Sequence, residues 1–266
     1  MEMSEDMNNE PAVLFERIGH HVALVTLNRP QARNAVNGAI TQGVSAALAT
    51  IEADPDIRVA VLAARGGKAF CAGADLGEIA AGRSKDLSTP AGGMAGFVKA
   101  ARTKPWIAAV QGFAMGGGCE MVLACDMAVA GRSAKFGLPE AKRGLLAAAG
   151  GAFRIARALP RPLAIELLTV CDTMDADRAA HFGLVNRVVA DEDVVKEALL
   201  MAHAVAANAP LSVRESLALA RSAHEQTEAQ LWELTNQAVD RVMQSNDARE
   251  GPRAFLEKRA PQWTGD

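Results

Sequence analysis

Cysteine pairs at metal or redox spacing are missing from this chain. Its four cysteines, Cys71, Cys119, Cys125 and Cys171, include no C-x-x-C, so zinc ribbons and thioredoxin-type redox centres find no support. Isolated cysteines in a chain of this size point to buried thiols in a reducing cytosol. Long apolar runs are missing too: nothing approaches the ~20 residues that cross a bilayer. Met1 to Pro11 is acidic and polar, unlike a signal peptide or an Arg-rich transit peptide. A cytoplasmic protein with no membrane partner is expected. An excess of charge of one sign is missing as well: 28 Lys and Arg stand against 31 Asp and Glu for a net charge of only −3, which gives no general attraction to nucleic acid. The five histidines (His20, His21, His181, His203, His224) form no H-E-x-x-H, and no G-x-S-x-G elbow accompanies them. Zinc enzyme and triad hydrolase are therefore poor readings, and no metal site is expected. Neither G-x-G-x-x-G nor G-x-x-x-x-G-K-S/T occurs, which sets aside dinucleotide and nucleotide triphosphate cradles.

What is present is a long, half-hydrophobic chain of 266 residues, enough to remove roughly 70–75% of its unfolded surface from water. Val13 to Ile18 and Val22 to Leu27 read as a hairpin around Gly19, His20 and His21. Gly43 to Asp54 carries Val44, Leu48 and Ile51 at helical spacing. Val59 to Ala64 and Trp106 to Val110 are continuous apolar runs, as strands covered on both faces should be. Cys119 to Ala124 reads as an apolar helix, and Met127 to Ala130 and Leu184 to Val189 as further strands. Strands alternating with helices imply an α/β fold with parallel pairing and right-handed crossovers. From Asp191 the character changes: Val194 to Ala207, Ser212 to Ala223 and Glu228 to Met243 are amphipathic helices with no strand among them. The expected organisation is an α/β core over 1–190 and a helical module over 191–266. Gly82 to Gly93 is the least patterned internal segment, a surface loop or a pocket lid.

Two segments carry chemistry. Gly66 to Leu76 (GGKAFCAGADL) and Gly112 to Glu120 (GFAMGGGCE) each join a buried strand to a helix, and strand ends of parallel sheets are where α/β proteins hold ligands. Glycines let the backbone approach a ligand, and an opening helix turn offers unpaired N–H groups. Two such turns suit a single developing oxyanion. Glu120 lies three residues after Gly117, on the same helix face, and precedes the apolar Met121 to Ala124. It is either a dipole-stabilised first-turn acid or a working carboxylate. Glu140 follows Pro139 and starts a loop or short helix.

At these residues the sequence resembles the crotonase (enoyl-CoA hydratase/isomerase) family over almost its whole length. The likeness covers Leu27-Asn28-Arg29-Pro30 with Asn34-Ala35, Phe70 to Asp75, Gly112 to Glu120 and Cys125-Asp126. It continues through Phe136 to Glu140, Gly150-Gly151, Ala180 to Val185, Glu250-Gly251 and Ala254 to Arg259. The resemblance implies a spiral of ββα units with a C-terminal helical trimerisation region, assembled as a trimer or dimer of trimers. It implies oxyanion-hole N–H groups at Ala74 and Gly117 and catalytic glutamates at Glu120 and Glu140. Glu120 would hold the water and Glu140 would serve C2 of an acyl-CoA thioester. Coenzyme A, as part of the substrate, would meet Lys68, Ala72, Arg33, Phe255 and Lys258, the last two reaching a neighbouring subunit's nucleotide. No separate cofactor is implied. Keeping both glutamates favours hydration of 2-enoyl-CoA or its reverse. Isomerisation, or dehydration of another acyl-CoA, is the alternative in the same fold, and a CoA-binding or RNA-binding module without catalysis is the alternative outside it. The chain departs from the family after Glu140, where Ala147 and Ala148 replace a turn Pro and Gly. Arg143 there is expected in an outward salt bridge or projecting toward the acyl pocket.

Overall fold

A run without a polar break has no face to give to water, and VAVLAA at 59–64 becomes a strand with both sides covered. The computed structural model describes residues 10–266, and Met1 to Asn9, read above as a polar start, lie outside the described residues. The first elements are β1 (Val13–Ile18), β2 (Val22–Leu27), α1 (Gly38–Ala53), β3 (Val59–Ala64), β4 (Ala69–Cys71) and α2 (Leu76–Ala80). Next come β5 (Ser88–Thr89), β6 (Gly93–Met94), β7 (Trp106–Val110), β8 (Phe113–Met115), α3 (Gly117–Ala124), β9 (Met127–Gly131) and β10 (Lys135–Gly137). The chain continues with α4 (Gly151–Ala158), α5 (Arg161–Thr169), β11 (Met174–Asp175), α6 (Ala176–His181) and β12 (Arg187–Val189). It closes with α7 (Val194–Ala206), α8 (Pro210–Ser222), α9 (Glu228–Gln244) and α10 (Asp247–Leu256).

A six-stranded sheet runs β1-β2-β3-β7-β9-β12, antiparallel only between β1 and β2. A smaller sheet runs β11-β10-β8-β4, with β4, β8 and β10 parallel. Successive units thus send one strand to the large sheet and the next to the small one before a helix: β3–β4–α2, β7–β8–α3, β9–β10–α4. This is the spiral of ββα units expected above. Val25, Leu62, Ala108 and Ala130 face the main core, which α1 and α3 help to fill. Val22, Val61, Ile107 and Val129 face the other way, onto Val194, Ala198, Met201 and Ala202 of α7. Burying side chains of this size is worth ~1.5–3 kcal/mol each, so α7, although beyond Asp191, is fastened to the sheet by its apolar stripe. Arg221 of α8 is bound to the same body through Asp126, with Nε and Nη2 each 2.8 Å from a carboxylate oxygen.

Several boundaries differ from the sequence expectation. Helix α1 starts at Gly38 because Asn37 caps it, accepting from the Ile40 N–H at 3.0 Å, and buried Ile40 extends the stripe backward. Strand β12 omits Leu184 and Val185, whose N–H groups both turn back to the Ala179 carbonyl at the end of α6. The segment 82–93 is no bare loop: it holds a short 3-10 turn at Ser84–Leu87, buried Leu87, and strand β5 paired with β6, and Ser84, Leu87, Ser88 and Gly93 border a cavity. Among the described residues no helix is long and apolar enough to cross a membrane.

Candidate active site

The first glycine turn leaves β4 and is held from behind. Ala72 N–H donates to the Arg33 carbonyl at 3.0 Å, Val36 N–H to Gly73 at 2.8 Å, and Asp75 N–H to Val36 at 2.9 Å. The Asp75 side chain caps α2 through Gly77 N–H and pairs with Arg29 at 3.2 Å. Between these anchors the Ala74 N–H has no hydrogen-bond partner among the described residues, and neither does that of Gly117, the first residue of α3. Glycine is required where the two turns meet. A Cβ on Gly73, whose φ is +93°, would stand 2.9 Å from the Met115 carbonyl oxygen and 3.1 Å from the Gly117 nitrogen. The two unpaired amides are therefore carried on backbone segments in direct contact.

Glu120 lies in the first turn of α3 with only 3% of its surface exposed. Its Oε1 accepts from the Gly151 N–H at 2.8 Å, at the start of α4. A Cβ on Gly151 would fall 2.8 Å from the Glu120 Cγ, so only glycine lets that N–H approach. Burial drives the Glu120 carboxyl above its ordinary value; the Gly151 N–H opposes this and the neighbouring Glu140 charge adds to it. Glu140, half-buried in the turn after β10, is raised by desolvation as well, with Arg143 pulling the other way. Its Oε1 would lie 3.2 Å from a Cβ on Gly116, next to the second turn, and its Oε2 is buried without a partner among the described residues. Two proton carriers tuned upward thus share one site with two unpaired amides.

All of these groups line one cavity of about 1270 Å³. Arg33, Ala72, Ala74, Gly117, Glu120 and Glu140, named from the sequence, are brought together in its wall. Lys68, Phe255 and Lys258 are not: Lys68 is exposed on the approach to β4, and Phe255 and Lys258 are exposed at the end of α10, away from this chain's cavity. Arg143 is at the rim and makes no ion pair among the described residues, against the outward salt bridge expected for it. Ala147 is buried and packs against Gly151, while Ala148 and the exposed Leu145 and Leu146 face the opening. Sequence reasoning missed Met94, whose Sδ would lie 2.5 Å from a Cβ on Gly117, and Arg154, which lines the wall beside Glu120. Gly150-Gly151 was visible as a motif, and Arg154 stands one helical step from it. None of the five histidines lines the cavity and the chain has no tyrosine, so Glu120 and Glu140 are the lining acids outside an ion pair. Among the described residues no group of three or more His, Cys, Asp or Glu comes together as a metal cage.

A sequence model of the family described as enoyl-CoA hydratase/isomerase matches residues 17–266. The chain is 41% identical over 258 residues to enoyl-CoA hydratase EchA19 of Mycobacterium tuberculosis, covering 95% of this chain and 96% of that protein. It is 37% identical over 246 residues to a carnitinyl-CoA dehydratase of Proteus mirabilis, covering 91% and 94%. Its fold superposes on the crystal structure of an enoyl-CoA hydratase from M. tuberculosis H37Rv with a TM-score of 0.93 at 38% identity, over 97% of this chain and 100% of the other.

Proposed function

The chain belongs to the enoyl-CoA hydratase/isomerase family, and from that premise we propose that it adds water across the C2=C3 bond of a 2-enoyl-CoA thioester, or runs the reverse dehydration. The observation that carries this reading is the meeting of two unpaired backbone amides, at Ala74 and Gly117, with the buried Glu120 and half-buried Glu140 carboxyls, whose proton affinity is raised. A 2-enoyl thioester becomes electrophilic at C3 when negative charge collects on its carbonyl oxygen. Two N–H donors there would each contribute about 3–4 kcal/mol to the transition state. In this scheme Glu120, aimed by Gly151, takes a proton from water as its oxygen bonds to C3, and Glu140 delivers a proton to C2. Both additions come to one face of the C2=C3 bond in this scheme, which the lining of a single cavity by Glu120 and Glu140 supports. Coenzyme A enters as part of the substrate, along Arg33 and Ala72 and the exposed Lys68, and no separate cofactor is invoked.

The same reading includes assembly. Trp232, Val239 and Met243 on α9 and Phe255 and Leu256 on α10 leave large apolar side chains in water, which supports a homotrimer or dimer of trimers built on these helices. Phe255 and Lys258 would then serve a neighbour's coenzyme A. The four cysteines are unpaired, and burial pushes the Cys71 and Cys119 thiols up to about 12, which suits a reducing, cytoplasmic setting. A second reading, dehydration of an acyl-CoA with a polar acyl group, is favoured by the unpaired Arg143 at the rim.

Turnover of crotonyl-CoA, followed by loss of the conjugated-thioester absorbance, tests the proposal. Glu120→Gln and Glu140→Gln should each lower kcat by about 10²-fold or more, the contribution of a positioned acid or base. Hydration within a few-fold of wild type in both variants would sink it.

A further inference from the structure

Arg154, on the first turn of α4, spans the cavity. Its Nη2 donates to the Val98 carbonyl at 2.6 Å, on the wall that carries Met94, and its Nη1 donates to the Ala149 carbonyl at 3.2 Å. The guanidinium lies against the turn at Gly150, where an added Cβ would meet Nη1 at 2.2 Å. The next residue along that turn, Gly151, supplies the N–H that holds Glu120 Oε1 at 2.8 Å. Val98 belongs to a turn closed by Phe97 N–H and Val98 N–H on the Met94 carbonyl, at 3.1 and 3.3 Å, so one side chain joins the Met94 wall to the Glu120 wall.

We propose that Arg154 is the positioning residue for Glu120: it fastens the Ala149–Gly151 turn that aims this carboxylate and ties it across the cavity to the Met94–Val98 wall. The proposal rests on the hydratase reading of the site. The two carbonyls are met by two different nitrogens of one planar fork; lysine would keep the charge but offers a single nitrogen in their place. The groups facing Glu120 are Glu140 from the turn after β10, Arg154 from α4, and the Gly151 and Ala149 N–H groups. Glu140 opposes ionisation of Glu120, and Arg154 is the one cation among them that favours it. Arg143 acts on Glu140 instead.

Arg154→Lys and Arg154→Met separate the two contributions. Loss of the bridge should lower kcat about tenfold or more in both, with KM within about threefold, because misplacement of a reacting group by an ångström is felt mainly in turnover. The acid limb of the kcat profile should move to higher pH in Arg154→Met and stay near wild type in Arg154→Lys. A purely structural brace would move neither midpoint. The Glu120 carboxyl is also titrated by 13C NMR, assigned with Glu120→Gln, and should follow the same pattern without any turnover. A wild type that hydrates no 2-enoyl-CoA would therefore defeat the functional reading while the titration still decides this one. The proposal is overturned if both variants keep kcat within twofold, if Arg154→Lys restores full kcat, if KM rises with kcat unchanged, or if the Glu120 titration is unmoved in Arg154→Met. Should Arg154→Met fail to fold, Arg154→Gln replaces it as the uncharged variant.

Discussion

Ionising a carboxyl inside a dry wall, beside a second carboxyl, costs free energy that folding must supply. Glu120 is held above its ordinary value chiefly by burial, so over the pH range between its unfolded and folded midpoints the native state binds more protons than the unfolded chain. Stability contributed by the neutral group is then fully present below the unfolded value near 4.5 and is lost as pH rises through the folded one. Gln cannot ionise, yet its carbonyl oxygen can still accept from Gly151. Glu120→Gln should accordingly match wild type in thermal stability near pH 4.5 and exceed it at pH 8, by about 0.5–2 kcal/mol, the size of gain seen when a functional compromise is relieved. Calorimetric scans across that range check it; a variant less stable at pH 8, or equally shifted at both ends, contradicts the account. The two carboxylates and the glycine turns were legible in the sequence because each sits in a short local run, and the family resemblance implied what they do. Arg154 and Met94 were not, because each acts on a residue far away in the chain.

Among the elements, the three-residue strands β4, β8 and β10 left no readable period, and so the second sheet escaped the sequence although both of its glycine turns did not. The turn between β3 and β4 is braced by a single buried side chain. Asn34 is fully enclosed and sits at φ +54°, a conformation asparagine tolerates better than most residues. Its Oδ1 accepts from Arg29 N–H at 2.8 Å, and its Nδ2 donates to the Arg65 and Ala69 carbonyls at 3.0 and 2.9 Å. Asn34→Ala removes all three bonds and strands their partners indoors, at roughly 1 kcal/mol or more each. A loss of about 3 kcal/mol, or ~6–12 °C in Tm at ~2–4 °C per kcal/mol, is expected by differential scanning calorimetry. A Tm within about 2 °C of wild type would show that β4 is held without Asn34.

At the scale of the whole molecule, the helices beyond Asp191 do two unlike things. Helix α7 closes the sheet, whereas α9 and α10 keep Met243 67% and Phe255 81% exposed. The sequence showed α7 and α9 as amphipathic but not which partner each stripe meets, since a stripe facing a sheet and one facing another subunit look alike. Proposed assembly makes the distinction measurable. Light scattering on a sizing column should give three or six times the 27.9 kDa chain mass, and Met243→Glu, which buries a charge in any such contact, should lower it to one. Lys258→Ala, if this side chain meets a neighbour's nucleotide phosphate, should raise KM for a CoA thioester ~10-fold or more, from a charged contact of about 1.5–3 kcal/mol, with kcat unchanged. A short thioester lacking the nucleotide should be indifferent to it. Because dissociation already withdraws the neighbour's Lys258, adding Lys258→Ala to Met243→Glu should change KM no further. Additive effects of the two would place Lys258 on its own chain's substrate, and a wild type that runs as a monomer with full turnover would remove the neighbour from the site altogether.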